Sequence, residues 1–298
     1  KSVIKKIEVD NQNPNWENFI TPLQQCNERL SRVWSQINHL NSVVNNEELR
    51  LIYNKNLTKV TKYQSELSQN ELIYKKFKKI KKSDVYQKLT TPRQKIISDE
   101  ILGFELGGVG LNQSKKLKFK QILSKLSKLS ANFEENILDS VNNYSLLITD
   151  KKKLKGIPKD ILLKAKSAAK KQKKQGWSFT LDFPCYLPLM QFADNRELRK
   201  EIYYAYATKA SELSNKKTDN TNNINNILLN KKRLAYLLGF PDYASMALET
   251  KMANSSKEVI KFLEDLSTKA KPFASKDMED LKSYGFKLKI NDIEADLF

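Results

Sequence analysis

Histidine is the side chain that most often ligates catalytic metals and moves protons near neutral pH. This sequence has one, His39. A catalytic zinc needs about three protein ligands and an open position. A single histidine cannot write His-Glu-x-x-His. Gln36, not Glu, stands three residues before His39, so the Glu-x-x-His pattern of di-metal bundles is absent as well. Ser-His-Asp and Cys-His arrangements would also have to use His39. It falls beside the apolar stripe of its segment and reads as a hydrogen-bonded structural residue. Glu134, Glu135 and Asp139 are close in sequence, but only Glu135 and Asp139 are four apart on one helical face. Without a third ligand they make no metal site. Gly107-Gly108-Val109-Gly110 has the glycine density of a phosphate loop, yet no Lys-Ser/Thr follows it. It reads as a helix stop. These residue types therefore assign no catalytic and no metal-ligating residue, and they leave the substrate-binding residues unknown.

The other chemistry on offer is charge. The net charge is +19, carried by 53 Lys and Arg against 34 Asp and Glu. Such a balance suits a polyanion partner. Only 7 of those cations are Arg, however, and the chain has 27 Asn. Recognition of phosphates and base edges favours the planar Arg fork. The Lys and Asn excess reads instead as compositional drift of solvent-facing positions, as in an A/T-rich genome. Lys75-Lys76-Phe77-Lys78-Lys79-Ile80-Lys81-Lys82 reads as a helix end with a solvated basic face. Leu72, Ile73, Phe77 and Ile80 form its buried side. Lys164 to Lys174 reads as a second basic helix. Cys26 and Cys185 cannot build a disulfide framework or a four-cysteine metal site, and they read as buried free thiols in a reducing compartment.

Elements must position whatever these residues do. Of 298 residues, 40% are apolar and 28 are aromatic, enough for a sizeable core. Gly and Pro number 8 each, well below typical usage of roughly 7% and 5%. That disfavours turn-dense β folds, collagen-like repeats and flexible linkers. No apolar run reaches the roughly 18 residues of a membrane span, and the opening Lys1-Ser2-Val3-Ile4-Lys5-Lys6 has no signal core and no Met.

Helix starts recur at Thr21-Pro22-Leu23-Gln24, Ser68-Gln69-Asn70-Glu71, Thr91-Pro92-Arg93-Gln94, Asp194-Asn195-Arg196-Glu197 and Ser255-Ser256-Lys257-Glu258. Leu23, Cys26, Leu30, Val33, Ile37 and Leu40 form one helical stripe. Phe119, Ile122, Leu126, Leu129, Phe133 and Ile137 form another, and Leu49, Tyr53, Leu57, Val60 and Leu67 a third. Further helices are predicted over 92–106 and near 158–175, 195–212, 222–238, 242–252 and 256–284. Trp177, Phe179, Leu181 and Phe183 alternate with polar residues as a half-buried strand ended by Pro184. It can pair with a weaker strand at 144–149. The Asn-rich segment 214–226 reads as an exposed loop. The predicted fold is mainly α, an antiparallel multi-helix bundle with a small two-stranded β element at about 144–149 and 177–183.

Read as words, the sequence is more specific. Ile37-Asn38-His39-Leu40-Asn41-Ser42-Val43 and Asn46-Glu47-Glu48-Leu49-Arg50 resemble the "HLNSV…ELR" stretch near the front of thimet-oligopeptidase family zinc metallopeptidases. Phe104 to Leu111 resembles their "FxLxGxxL" turn. Leu181-Asp182-Phe183-Pro184-Cys185-Tyr186-Leu187-Pro188-Leu189-Met190 resembles "LDIPSYLPVM". Leu198 to Tyr206 resembles "LR..MYxAY". Leu234 to Ala244, followed by Lys251-Met252-Ala253, resembles "LAxLLGFxxYA…KMA". These occur in family order from about residue 13 to 286.

The resemblance implies a largely helical protein split by a deep channel, and cytoplasmic cleavage of short unfolded peptides at one zinc. In the family the His-Glu-x-x-His helix, a further Glu ligand and the oxyanion-stabilising His and Tyr all lie in the C-terminal half. This chain ends at Ile293-Glu294-Ala295-Asp296-Leu297-Phe298, before that half begins, so none of those roles can be placed on it. The expectation is a chain whose residues 1–298 are the N-terminal helical portion of a metallo-oligopeptidase. About 1–150 would hold the N-terminal helices, and about 151–298 the wall leading into the absent catalytic half. The chain alone is expected to be inactive and to bind no zinc, its partners being short peptides and the C-terminal catalytic half, with no nucleic acid and no membrane. Either a partial record or a truncated gene fits this, and the drift of the tail after Phe286 favours a frameshift. The alternatives are a non-catalytic helical peptide-binding remnant and a Lys-rich polyanion-binding protein.

Overall fold

Scarce helix breakers leave long uninterrupted helices. The computed structural model describes residues 2–10, 12–44 and 46–288; the closing segment Ile293–Phe298 lies outside them. The helices are α1 (Ser2–Val9), α2 (Thr21–Val43), α3 (Glu47–Ser68), α4 (Glu71–Lys81), the short α5 (Asp84–Gln87), α6 (Thr91–Leu106), α7 (Gln113–Asn142), α8 (Lys159–Lys171), α9 (Phe183–Phe192), α10 (Arg196–Ala207), α11 (Thr221–Leu237), α12 (Tyr243–Leu248) and α13 (Ser256–Lys287). The strands are β1 (Leu146–Ile148) and β2 (Trp177–Phe179). The mainly α class is borne out. The chain divides into two compact units, the first made of Lys1–Glu134 with Asn223–Asn254, the second of Glu135–Asn222 with Ser255–Phe298.

In the first unit, α2 and α3 run antiparallel. The Tyr53 hydroxyl donates to Asn38 Oδ1 at 2.8 Å, and the Tyr63 hydroxyl donates to Asn27 Oδ1 at 3.0 Å, so one numbering rises as the other falls. The core gathers where α1, the start of α2, α4 and α6 meet. Ile4, Ile7, Phe19, Leu23, Ile73, Phe77, Ile80, Ile97, Ile101 and Phe104 are all buried there. Phe77 meets Phe19 edge-on with ring centroids 4.9 Å apart. Each such side chain contributes about 1.5–3 kcal/mol by leaving water.

Several expectations change in this unit. Leu72 is 51% exposed, so only Ile73, Phe77 and Ile80 form the buried side of α4. On α2 the stripe is buried at its N-terminal end, but Val33 and Leu40 are exposed. Thr21 caps nothing, because the chain enters α2 directly from a π-helical turn, Trp16–Ile20, that is capped by Asn15. Neither Ser68 nor Thr91 caps a helix. Ser68 ends α3, Asn70 caps α4 with Oδ1 accepting from the Ile73 N–H at 3.1 Å, and α6 starts at Thr91 after a Thr90 that makes no side-chain cap. Asn15 and Asn70 take their caps from extended backbone just outside the helix, whereas Thr90 has the same backbone region and makes no side-chain cap.

In the second unit, β1 and β2 pair antiparallel with Leu146 opposite Phe179 and Ile148 opposite Trp177, as expected, and α8 lies in the connection. The strand is shorter than its alternation suggests. Both faces are covered: Phe179 is fully buried, and Ser178 is buried between Ser145 and Gln172. Phe183 is exposed and opens α9, a helix the sequence reading missed, with Pro184 in its first turn. Segment 214–226 is not one exposed loop. Thr218 and Asn220 are buried, Asn220 Oδ1 accepts from Asn136 Nδ2 at 2.9 Å, and α11 begins at Thr221. Asn195, not Asp194, caps α10, whereas Ser255 caps α13 as expected. From Lys261 to Leu281 every residue of α13 is exposed.

Candidate functional site

Among the described residues no catalytic constellation comes together. His39 sits exposed on α2, and its carbonyl oxygen accepts from Ser42 Oγ at 2.7 Å, while among the described residues its ring makes no hydrogen bond. The hydrogen-bonded structural role expected for it is therefore wrong: the ring lies on the polar side of a helix whose apolar stripe faces elsewhere. Among the described residues no group of three His, Cys, Asp or Glu could hold a metal ion. The donor set of the described residues does not fit the zinc that the family resemblance implies. Cys26 and Cys185 are free, as expected, but half-buried rather than buried. Among the described residues no helix is long and apolar enough to cross a membrane.

The glycine run does what a stop should. Gly107 ends α6, and Gly108 follows with φ +81°, a left-handed conformation that costs a glycine nothing. The turn presses against the end of α3. A Cβ on Gly107 would stand 2.6 Å from Ser68 Cβ.

Beside that turn α2, α3 and α6 enclose a groove of about 360 Å³. Leu30 and Trp34 come from α2, Val60 and Tyr63 from α3, and Glu100 and Phe104 from α6. Trp34 is stacked on Tyr53, with centroids 5.2 Å apart. Burial pushes the Tyr63 hydroxyl above its ordinary range. Burial, with Asp99 beside it, pushes the Glu100 carboxyl above the usual carboxylate range. The sequence reading did not single out Glu100. Its signal is local, a carboxylate three and four positions ahead of Gly103 and Phe104 on the same face as a buried aromatic.

The basic features are also placed. The Lys75–Lys82 run is not only a solvated face: Lys76 Nζ donates to the Asp10 carbonyl at 2.7 Å, Lys79 Nζ donates to Asn13 Oδ1 at 2.7 Å, and Lys78 lies over the Tyr74 ring at 5.2 Å. Lys116, a buried lysine of α7, bonds Glu71 Oε1 at 2.6 Å and holds that carboxyl below its usual range. A second groove, about 470 Å³, is lined by Lys115, Lys118, Lys125 and Arg233 around Ile122 and Leu237.

The most extensive feature is the face of α13. Phe262, Leu263, Leu266, Phe273, Leu281 and Tyr284 are each more than half exposed. They recur three, four, seven or eight apart, the stripe of a helix that packs on something. Exposed apolar area on this scale marks an interaction surface.

The family described as Neurolysin/Thimet oligopeptidase, N-terminal domain, matches residues 1–116, and Peptidase family M3 matches residues 189–295, a stretch that includes all of α13. Oligopeptidase A of Haemophilus influenzae is 38% identical over 271 residues, covering 90% of this chain and 40% of that protein. Oligopeptidase A of Escherichia coli is 37% identical over the same shares. A plant protein named probable cytosolic oligopeptidase A, from Arabidopsis thaliana, is 38% identical over 278 residues, covering 91% of this chain and 39% of its own. The chain thus spans about two-fifths of the length of the curated relatives it matches. With both family matches in order along the sequence and these identities over nine-tenths of its length, the chain belongs to the thimet-oligopeptidase (M3) family and corresponds to the N-terminal part of an oligopeptidase.

Proposed function

We propose that this chain is the N-terminal, channel-wall portion of a zinc-dependent oligopeptidase that hydrolyses short peptides in the cytoplasm, and that it hydrolyses nothing until a C-terminal catalytic portion joins it, in cis or as a separate chain. The observation that carries this reading is the coverage: nine-tenths of this chain matches two-fifths of proteins named oligopeptidase A. Residues 1–298 then form one helical portion, with N-terminal helices over about 1–150 and a helical wall over about 151–298. No catalytic and no metal-binding residue is assigned to it, and no nucleic acid or membrane partner. Zinc belongs to the other portion, and the ligands of this one are short peptides. The exposed stripe of α13, inside the Peptidase family M3 match, supports a surface that the catalytic portion covers.

The test mixes the purified chain, zinc and an internally quenched peptide of about ten residues, before and after adding a separately produced C-terminal portion of the Escherichia coli relative. The expected result is no cleavage by the chain alone and chelator-sensitive cleavage once the second portion is present. Zinc-dependent cleavage by the chain alone overturns the reading. The groove between α2, α3 and α6 favours a second reading, a helical peptide-binding remnant, which predicts saturable peptide binding and no turnover even with the second portion added.

A further inference from the structure

The groove between α2, α3 and α6 contains one ionisable carboxylate and no cation. The chain carries 53 Lys and Arg, yet among the described residues none lines this groove. Glu100 supplies the charge, and among the described residues no hydrogen bond or ion pair engages its carboxylate. The neighbouring Asp99 is different: Lys95, one turn before it, bonds it. The only other titratable group in the lining is Tyr63, whose hydroxyl already donates to Asn27. Around Glu100 stand the aromatic side chains of Trp34, Tyr63 and Phe104. At Gly103 a Cβ would meet nothing within 4 Å, so the groove is open beside the carboxylate.

A partly desolvated carboxylate attracts a cation strongly, and aromatic faces attract the same cation through their quadrupoles. Aliphatic and aromatic walls take an apolar arm. We propose that this groove binds a primary ammonium carried on a bulky apolar arm, the chemistry of a free amino terminus on an aromatic or aliphatic residue, with the ammonium at Glu100 and the arm between Leu30, Trp34 and Phe104. The raised affinity of Glu100 for protons agrees with a site whose counter-ion comes from outside the chain. The inference does not rest on the peptidase reading, because it uses residues of these three helices alone.

The test titrates the full chain at pH 7 with 2-phenylethylamine and, separately, with its neutral isostere 2-phenylethanol, following the indole N–H resonance of Trp34. The amine is expected to bind about fivefold more tightly than the alcohol, the value of one partly screened ion pair. Glu100→Gln is expected to bring the two within about twofold, and Gly103→Leu to abolish both by filling the groove. Phenylalanylglycine amide separates the sources: binding as tight as the amine's identifies peptide amino termini, and binding of the small amine alone identifies free amines. Equal affinity for amine and alcohol in the unmodified chain, or no shift of Trp34 with either, overturns the proposal even where Glu100→Gln fails to fold. So does a preference for the amine that survives Glu100→Gln.

Discussion

Gly103 and Gly108 lie five positions apart and call for opposite outcomes on gaining a methyl group. Gly108 has φ +81°, and a Cβ there would stand 2.8 Å from Leu111 Cδ1. Gly108→Ala is expected to cost about 1–2 kcal/mol. Gly103 lies inside α6 with open space around it, so Gly103→Ala is expected to stabilise by up to about 1 kcal/mol through helix propensity. Denaturant midpoints of the two variants, measured side by side, check both signs. Glu71 and Glu100 form a second opposed pair. The Lys116 hydrogen bond lowers the Glu71 pKa, so its contribution is present above the unfolded pKa, near about 4.3, and is lost as pH falls through the folded value. Glu71→Gln is expected to lower Tm at pH 7 and to leave it nearly unchanged at pH 3. Burial raises the Glu100 pKa, so its ionisation opposes folding above the unfolded pKa, and the penalty disappears as pH falls below that value. Glu100→Gln is expected to raise Tm at pH 7 and not at pH 4. At this scale the glycine stop is legible in sequence, because a left-handed position selects one residue type. His39 is not, because beside an apolar stripe a ring may turn toward packing or toward water, and only the neighbouring helix decides.

The elements show where local rules suffice. Helix spans follow from apolar spacing: α6 and α11 start and end within one residue of their predicted limits, whereas α10 stops at Ala207, five residues before the predicted 212. Caps are harder to read, because runs such as Ser68-Gln69-Asn70 and Asp194-Asn195 offer several competent side chains within two residues of one another. Asn70 and Asn195 win since theirs is the residue already in extended backbone. Strand length was overread at 177–183 because alternation describes a one-sided strand, whereas Ser178 and Phe179 are buried on opposite faces. For α4, Asn70→Ala removes one cap bond and the contact of Asn70 Nδ2 with Glu8 Oε1. Its expected cost is about 1 kcal/mol. Phe77→Ala empties the centre of the first core and is expected to cost about 3–5 kcal/mol. Equilibrium unfolding of both variants, with matched slopes, tests whether the face or the cap holds this helix.

At the scale of the whole molecule, α13 is about 48 Å of helix, at 1.5 Å per residue, with its apolar stripe in water. Pro272 inside it also removes one backbone donor. Because these side chains bury little, replacing Phe262, Leu266 and Phe273 together with Ser is expected to move stability by less than about 0.5 kcal/mol per site. The unsubstituted chain is expected to associate with rising concentration in sedimentation velocity and to bind a hydrophobic dye through this stripe, and the same variant to lose both. Unchanged association would place the sticky surface elsewhere. Composition foretold a helical protein with apolar faces to cover. It could not single out the groove at Glu100, which exists only where three helices from separate stretches of sequence meet.

The order of the two units along the chain has a consequence for synthesis. The first unit closes only when Asn223–Asn254 returns to it, and Asn223 Nδ2 reaches back to the Leu129 carbonyl at 2.9 Å. A ribosome must therefore make residues 135–222 of the second unit while the first still lacks its last two helices. Closing so long a loop costs entropy before any contact offsets it, and contacts of high sequence separation form late. A nascent chain paused before Asn223 holds α2–α4 and α6 packed while α7 waits for its neighbour. The emergence of Asn223–Asn254, not the completion of residues 1–134, sets when the first unit becomes resistant to proteases.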